Sequence, residues 1–234
     1  LGFFLSDDAG APDAGTLPAP WVAPAAAASA WAHQPLSRWP THTGNLPELT
    51  RAAAAAGFIN HRPGEDGIVR DVPLLGALDR VADGRADQAR QPALYPALGL
   101  ALLAVGDGGP DADRPRGSPP DWTPVFATAP GGDRLTALRL RTATGERTLP
   151  VDRHGALRVA FRGAGGPDGG SFRYVSAVEV LEGRLAPGAL AGRTVLLGTS
   201  VPSLGDLRST PTDRAMPGME VHAQVTSESK LFSG

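Results

Sequence analysis

Two stretches of the chain are apolar with no polar residue alternating inside them. Leu1-Gly2-Phe3-Phe4-Leu5 runs into Ser6-Asp7-Asp8, and Thr194-Val195-Leu196-Leu197 ends at Gly198-Thr199-Ser200. Each fits a strand covered on both faces, as in a parallel sheet. Burying a Leu or Phe side chain contributes roughly 1.5–3 kcal/mol, so both runs are expected inside as central strands. They should lie nearly parallel, adjacent or one strand apart. Beyond the second run comes a polar segment, and from Met216-Pro217-Gly218 a helical pattern begins. Val221 and Val225 are one turn apart, and Leu231 and Phe232 continue the stripe, which predicts a helix over 220–232. Strand, polar loop and helix in succession place loop residues at the carboxyl end of a sheet. The expected fold is therefore α/β: a mixed, largely parallel central sheet flanked by helices, with an added antiparallel hairpin region and long Pro/Gly/Ala-rich loops.

The intervening chain carries weaker signals. Residues 8–44 are rich in Ala, Pro and Gly but hold Trp21, Trp31 and Trp39, so they read as a long loop insertion pinned to the domain by its indoles. Asn45 can cap a helix over 46–56, with Pro47 in its first turn and Gly57 as a left-handed C-cap. Phe58-Ile59 begins a strand, 61–66 turns, and 67–75 returns as a second strand. Residues 92–105 place Leu94, Leu98, Ala101, Leu102 and Val105 on one helical face. Residues 107–133 read as a flexible loop, and 135–141 as a half-exposed strand. Thr148 to Val151, a turn at 152–155, and Leu157 to Phe161 suggest a hairpin. The glycine loop 163–170 reads as a flexible connection, and Ser176-Ala177-Val178-Glu179 as a capping box opening a short helix.

Length changes little: 234 residues fit one α/β domain spanning 1–234. A chain opening on Leu1, with a strand as its first residues, is expected to be a fragment truncated at its N-terminus. Arg and Lys nearly balance Asp and Glu for a net charge of −2, Lys230 is the single lysine, and no basic stripe forms. Nucleic-acid binding is thereby disfavoured. Zero cysteines exclude disulfides and thiolate chemistry, which suits an oxidising compartment and leaves a cytosolic one open. No apolar run reaches roughly 18 residues, the length a membrane helix needs.

Signatures of catalysis are sparse. Gly198-Thr199-Ser200-Val201-Pro202 lacks the second glycine of a nucleophile elbow. GAGGPDGG lacks the lysine and Ser/Thr of a phosphate-binding loop. His33, His42, His61, His154 and His222 show no ligand spacing, and Glu220 and His222 face different ways on a helix. An α/β hydrolase using Ser200 with His222 is the enzymatic alternative, and it lacks a third partner. Asp66-Gly67 reads as a turn whose glycine takes positive φ, with Arg70 pairing Asp66 or Asp71 or serving an anion clamp. Beyond the two apolar runs, Ser6, Asp7, Thr199, Ser200, Asp206 and Thr210 form the candidate ligand site. Their hydroxyls and carboxylates suit a small polar or cationic ligand or a hard metal ion; alternatively they satisfy the loop's own backbone.

Several short blocks, in order, resemble a known family. They are Gly57-Phe58-Ile59-Asn60, then Asp66-Gly67-Ile68-Val69-Arg70 and Val72-Pro73-Leu74, then Tyr95-Pro96-Ala97-Leu98 and Ser176-Ala177. The last are LAGRTVLLGTS (190–200), LGD (204–206), TP (210–211) and MPGMEVHA (216–223). The chain resembles the type-two CHASE domain, the "cyclases/histidine kinases associated sensory extracellular" domain. The resemblance implies an extracytoplasmic sensory domain of a bacterial transmembrane receptor, non-catalytic and without a cofactor. It implies membrane tethering in the full-length protein, an unknown small-molecule or ionic stimulus, and a cytoplasmic cyclase, histidine kinase or serine/threonine kinase as output. A homodimer is compatible with it. The matching Asn60, Asp66, Gly67, Arg70, Gly198, Pro211, Pro217, Gly218 and His222 are expected to be structural.

Overall fold

The computed structural model describes residues 1–21, 34–79, 93–106, 121–142, 145–199 and 205–228. The first half holds β1 (Gly2–Ser6), β2 (Ser37–Trp39), β3 (Thr41–Thr43), α1 (Pro47–Ala52), β4 (Gly57–Phe58), β5 (Asp71–Pro73), β6 (Leu75–Leu78), β7 (Ala93–Pro96) and α2 (Leu98–Gly106). The second half holds β8 (Trp122–Ala129), β9 (Gly132–Thr142), β10 (Gly145–Pro150), β11 (Ala156–Arg158), α3 (Ala177–Leu181), β12 (Leu207–Arg208), β13 (Met216–Pro217) and α4 (Gly218–Glu228).

The fold mixes strands and helices, but the largely parallel central sheet does not form. The described strands make small sheets in the orders β3-β1-β4, β2-β6-β7, β10-β9-β8, β11-β5 and β12-β13. Among these pairings only β1–β4 and β2–β6 are parallel. A parallel sheet needs helices over both faces. Here α1 and α3 are 6 and 5 residues long and bury nothing, which leaves α2 and α4 as covering helices.

The N-terminal run is a strand, with an alternating pattern. Phe3 and Leu5 are buried while Leu1 and Phe4 stay exposed. The run Thr194–Leu197 is the main correction. It forms no strand, and Val195 and Leu197 are 57% and 90% exposed. The places that would have buried it are taken. β1 has β3 on one edge and β4 on the other, and Phe58 of β4 bridges on to Ala97.

Leu94 belongs to a strand, not to the predicted helix over 92–105. Pro96 restricts the residue before it to extended backbone, so the helix cannot start until Leu98. Gly57 is likewise no helix cap: α1 stops at Ala52 and Gly57 pairs with Gly2. A Cβ at Gly57 would lie 2.6 Å from the Ala97 carbonyl carbon, so close backbone approach is what requires glycine. Asn45 does not cap α1; its Nδ2 donates to the Gly2 carbonyl at 2.8 Å. Ser176 makes no side-chain cap bond either. Part of the expected flexible loop 107–133 is β8, whose Trp122 and Pro124 pair with Leu140 and Leu138 of β9. Within 8–44, β2 and β3 join sheets, and Trp21 and Trp39 are buried as expected of pinning indoles. Trp31 lies outside the described residues. The turn at 152–155 forms, with Gly155 N–H donating to the Asp152 carbonyl at 3.0 Å. Its flanks do not make a hairpin with each other: β10 pairs with β9, and β11 with β5.

The larger core gathers Leu74, Leu75, Leu100, Leu138, Leu149 and Leu157 with Val221 and Val225 of α4. A second core gathers Phe3, Leu5, Trp39, Phe58 and Tyr95 beneath β1. Its rings interlock, Trp39 on Phe58 at 5.3 Å and Phe3 edge-on to Tyr95 at 5.6 Å. α4 packs on α2 where Gly99 leaves room, because a Cβ there would sit 2.8 Å from Val225 Cγ1. The predicted helix is thus present and packed by Val221 and Val225, both fully buried; Leu231 and Phe232 lie outside the described residues.

Candidate functional site

After β4 the chain crosses the end of β1, and three consecutive side chains go to three different places. Ile59 N–H still donates to the Phe3 carbonyl at 2.9 Å, continuing the parallel pairing. Asn60, 8% exposed, then replaces the next backbone rung with its side chain. Leu5 N–H donates to Asn60 Oδ1 at 2.8 Å, and Asn60 Nδ2 donates back to the Leu5 carbonyl. Arg62 lies over the Trp39 ring, 4.5 Å from its centroid, donates to the Arg38 carbonyl at 2.9 Å and pairs with Asp7 at 3.1 Å.

His61, between them, stacks on His222 of α4 with ring centroids 4.8 Å apart and planes tilted by 34°. Arg208 Nε–H donates to His61 Nδ1 at 3.4 Å, so the neutral ring carries its proton on Nε2. His222 Nε2 faces the Ile59 carbonyl at 3.4 Å and must be its protonated nitrogen, leaving Nδ1 as the bare acceptor. Both leftover nitrogens, His61 Nε2 and His222 Nδ1, are buried and unpartnered. Burial depresses both imidazoles. It carries His222 down to about 4 against the Ile59 hydrogen bond, with the Arg208 charge adding to the drop. His61 falls well below 6.5 through burial first, then His222 and Arg208. The pair is neutral at pH 7, held beside a guanidinium.

Arg208 also ties this pair to the start of α4. Its Nη2 approaches Asp206 Oδ1 at 3.5 Å, and Gly218 N–H donates to the Asp206 carbonyl at 2.7 Å. Burial raises the Asp206 carboxyl and Arg208 partly opposes that. Its carboxylate fills the space a Cβ on Gly218 would need. In the first turn of α4, Glu220 accepts from Gly166 N–H at 2.8 Å and from the Tyr174 hydroxyl at 2.7 Å through one oxygen. Burial and this carboxylate push the Tyr174 phenol up, so it stays a donor. Asp213 accepts from Gly165 N–H at 2.8 Å, and Thr212 Oγ1 donates to the Gly163 carbonyl at 2.7 Å. The glycine loop is therefore clamped at three points, where a flexible connection was expected.

The sequence-derived site residues fall into separate groups. Ser6 accepts from Asp8 N–H at 3.1 Å, and exposed Asp7 goes to Arg62. Thr199 is half-buried and Ser200 lies outside the described residues. Thr210 is 4% exposed and closes a turn on Asp213, donating to its carbonyl at 3.0 Å and accepting its N–H at 3.1 Å. Among the described residues no hydrogen bond or ion pair joins Ser6 or Asp7 to Asp206 or Thr210; the link between them runs through residues 60–62 and Arg208. Asp66 and Arg70 form a two-pronged ion pair at 2.9 and 2.7 Å across a turn in which Gly67 has φ 76°, and Arg70 holds the Asp66 carboxyl down to about 2. Gly198 runs against Met219, Pro217 pairs with Leu207, and Pro211 is exposed. Arg62 and Arg208 were not singled out from the sequence, and His61 and Glu220 were weighed there only as metal ligands and set aside. The one signal was the position of His61 directly after Asn60. His222 faces His61 and a carbonyl, a setting that gives the hydrolase alternative no support.

Residues 12–230 match the CHASE2 domain, and the chain belongs to this family. CHASE2 domains are extracellular sensory domains of signalling receptors, not catalytic ones. No curated protein and no solved structure matches the chain. No helix among the described residues is long and apolar enough to cross a membrane.

Proposed function

We propose that this domain is the extracytoplasmic input module of a bacterial transmembrane receptor. In that reading it takes a small-molecule or ionic stimulus and passes it through α4 to a cytoplasmic nucleotide cyclase, histidine kinase or serine/threonine kinase. It is tethered to the membrane in the full-length protein, a homodimer is compatible with it, and nucleic acid is not a partner. The supporting observation is the placement of α4. One helix carries His222 against the Asn60–Arg62 junction, Glu220 against the glycine loop, and Val225 against α2. A helix packed on several sides as a rigid element can relay a small shift between two packings.

Substituting Val225 with Asp is too severe a test, because Val225 is fully buried in the larger core and a charge there would unfold the domain. Gly99→Ala is the graded lever. The new Cβ meets Val225 at 2.8 and 3.1 Å and the His222 carbonyl at 3.4 Å, so α2 and α4 must part by a few tenths of an ångström. In the full-length receptor, G99A is expected to change basal output severalfold at unchanged membrane abundance. Unchanged output from a variant with shifted thermal stability would remove α4 as the transmitter.

A further inference from the structure

Glu220 and Gln224 lie one turn apart on the same face of α4, with attachment points roughly 5–6 Å from each other. They are 2% and 1% exposed. Glu220 Oε1 and both polar atoms of the Gln224 carboxamide are buried without a partner. Asp213 adds a second carboxylate beside the glycine loop, and its oxygens accept from Gly165 and Ala215 N–H groups at 2.8 Å each. Among the described residues no arginine or lysine pairs with Glu220 or Asp213. Buried polar atoms are almost always paired, so three orphans on one helix face call for a group from outside the chain.

The chemistry of those orphans defines the group. A carboxylate oxygen accepts only, and it is charged, so it asks for a cationic donor. The Gln224 carbonyl offers a second acceptor, while its NH₂ can reach an acceptor elsewhere on the same molecule. A primary ammonium, with three N–H donors, satisfies both acceptors at once. A metal ion fits less well, since no cluster of three or more metal-ligating side chains exists among the described residues. We propose that Glu220 and Gln224 form a binding site for a small ligand bearing a primary ammonium group, roofed by residues 163–170. The ligand takes the free Oε1, so the bonds from Gly166 and Tyr174 to Oε2 are present again once the roof has closed over it. Entry requires the roof to lift at its three clamps on Thr212, Asp213 and Glu220. The site deepens the sensory reading by naming a ligand class and depends on that reading only for its link to output.

Thermal unfolding of the 234-residue chain tests it, with ethylammonium chloride as probe and tetramethylammonium, sodium and calcium chlorides at matched ionic strength. Ethylammonium should raise Tm saturably, by about 3–6 °C at tenfold excess over its Kd. Tetramethylammonium, which has no N–H, and the two metal ions should not. Glu220→Gln should abolish the rise, and Gln224→Leu should weaken affinity about tenfold or more. If Glu220→Gln does not fold, Gln224→Leu decides alone, because it keeps the carboxylate with its Gly166 and Tyr174 bonds. No saturable rise, an equal rise with tetramethylammonium, a rise with calcium instead, or an undiminished rise in the folded variants overturns the site. Binding without any change in receptor output would count against transmission through α4 and leave the site standing.

Discussion

Replacing His222 with leucine removes one of two stacked neutral imidazoles and leaves a shape that still fills the space. The wild-type ring is disfavoured as a cation in the folded state, where its pKa is about 4 against 6.5 when free. The unfolded chain therefore binds this proton first as pH falls. Stability from His222 is complete above pH 6.5 and is lost progressively down to about 4, where the loss levels off. At 1.36 kcal/mol per pH unit, the fall from 6.5 to about 4 corresponds to about 3 kcal/mol. His61 is displaced in the same direction, mainly by burial, and adds to the loss as pH falls below 6.5. Urea unfolding followed by tryptophan fluorescence at half-unit steps from pH 7.5 to 4 measures this directly. The wild type should lose about 3 kcal/mol or more over that range. His222→Leu should start lower, because the Ile59 carbonyl loses its donor, but should fall less steeply by about one proton. An identical pH slope in the two proteins would refute the claim that His222 is a buried neutral ring.

Other substitutions probe the frame around that pair. Asn60→Ala strips both backbone groups of Leu5 of their buried partners and should destabilise by about 2–4 kcal/mol in the same urea assay. Gly57→Ala drives a Cβ into the Ala97 backbone, which cannot swing aside, and should cost about 2–3 kcal/mol or prevent folding. Arg70→Ala, at an exposed ion pair screened by solvent, should leave the thermal unfolding midpoint nearly unchanged.

What could be read from the sequence was local chemistry. Asp66-Gly67 needs only a carboxylate, a glycine free to take positive φ and a nearby arginine, all within five residues. Val221 and Val225 announce a buried helix face by spacing alone. Most of the failures were long-range, and one was local. Thr194–Leu197 has a strand's composition, but burial requires an open sheet edge, and whether β1 still has one depends on residues more than 130 positions away. Leu94 shares the stripe of α2, and the deciding fact was the extended backbone that Pro96 imposes on Tyr95. Gly57 looked like a cap because helices end in glycine, while its actual constraint comes from Ala97 across the structure. The candidate site escaped for the same reason. His61, Arg208 and His222 come from three elements, and no spacing rule connects position 61 to 208 and 222.

The Asn60–Arg62 tripeptide also bears on how this chain can change length over evolutionary time. Each of its residues is assigned by place: one to a strand rung, one to an imidazole, one to an indole face and a carboxylate. Inserting or deleting a single residue between Phe58 and Arg62 would turn every following side chain toward the wrong neighbour. Surface connections drift freely in length, since little depends on their count. Descendants of this sequence are therefore expected to keep the Phe58-to-Arg62 spacing fixed while gaps accumulate elsewhere, and a collection of natural variants would display that as an ungapped column block.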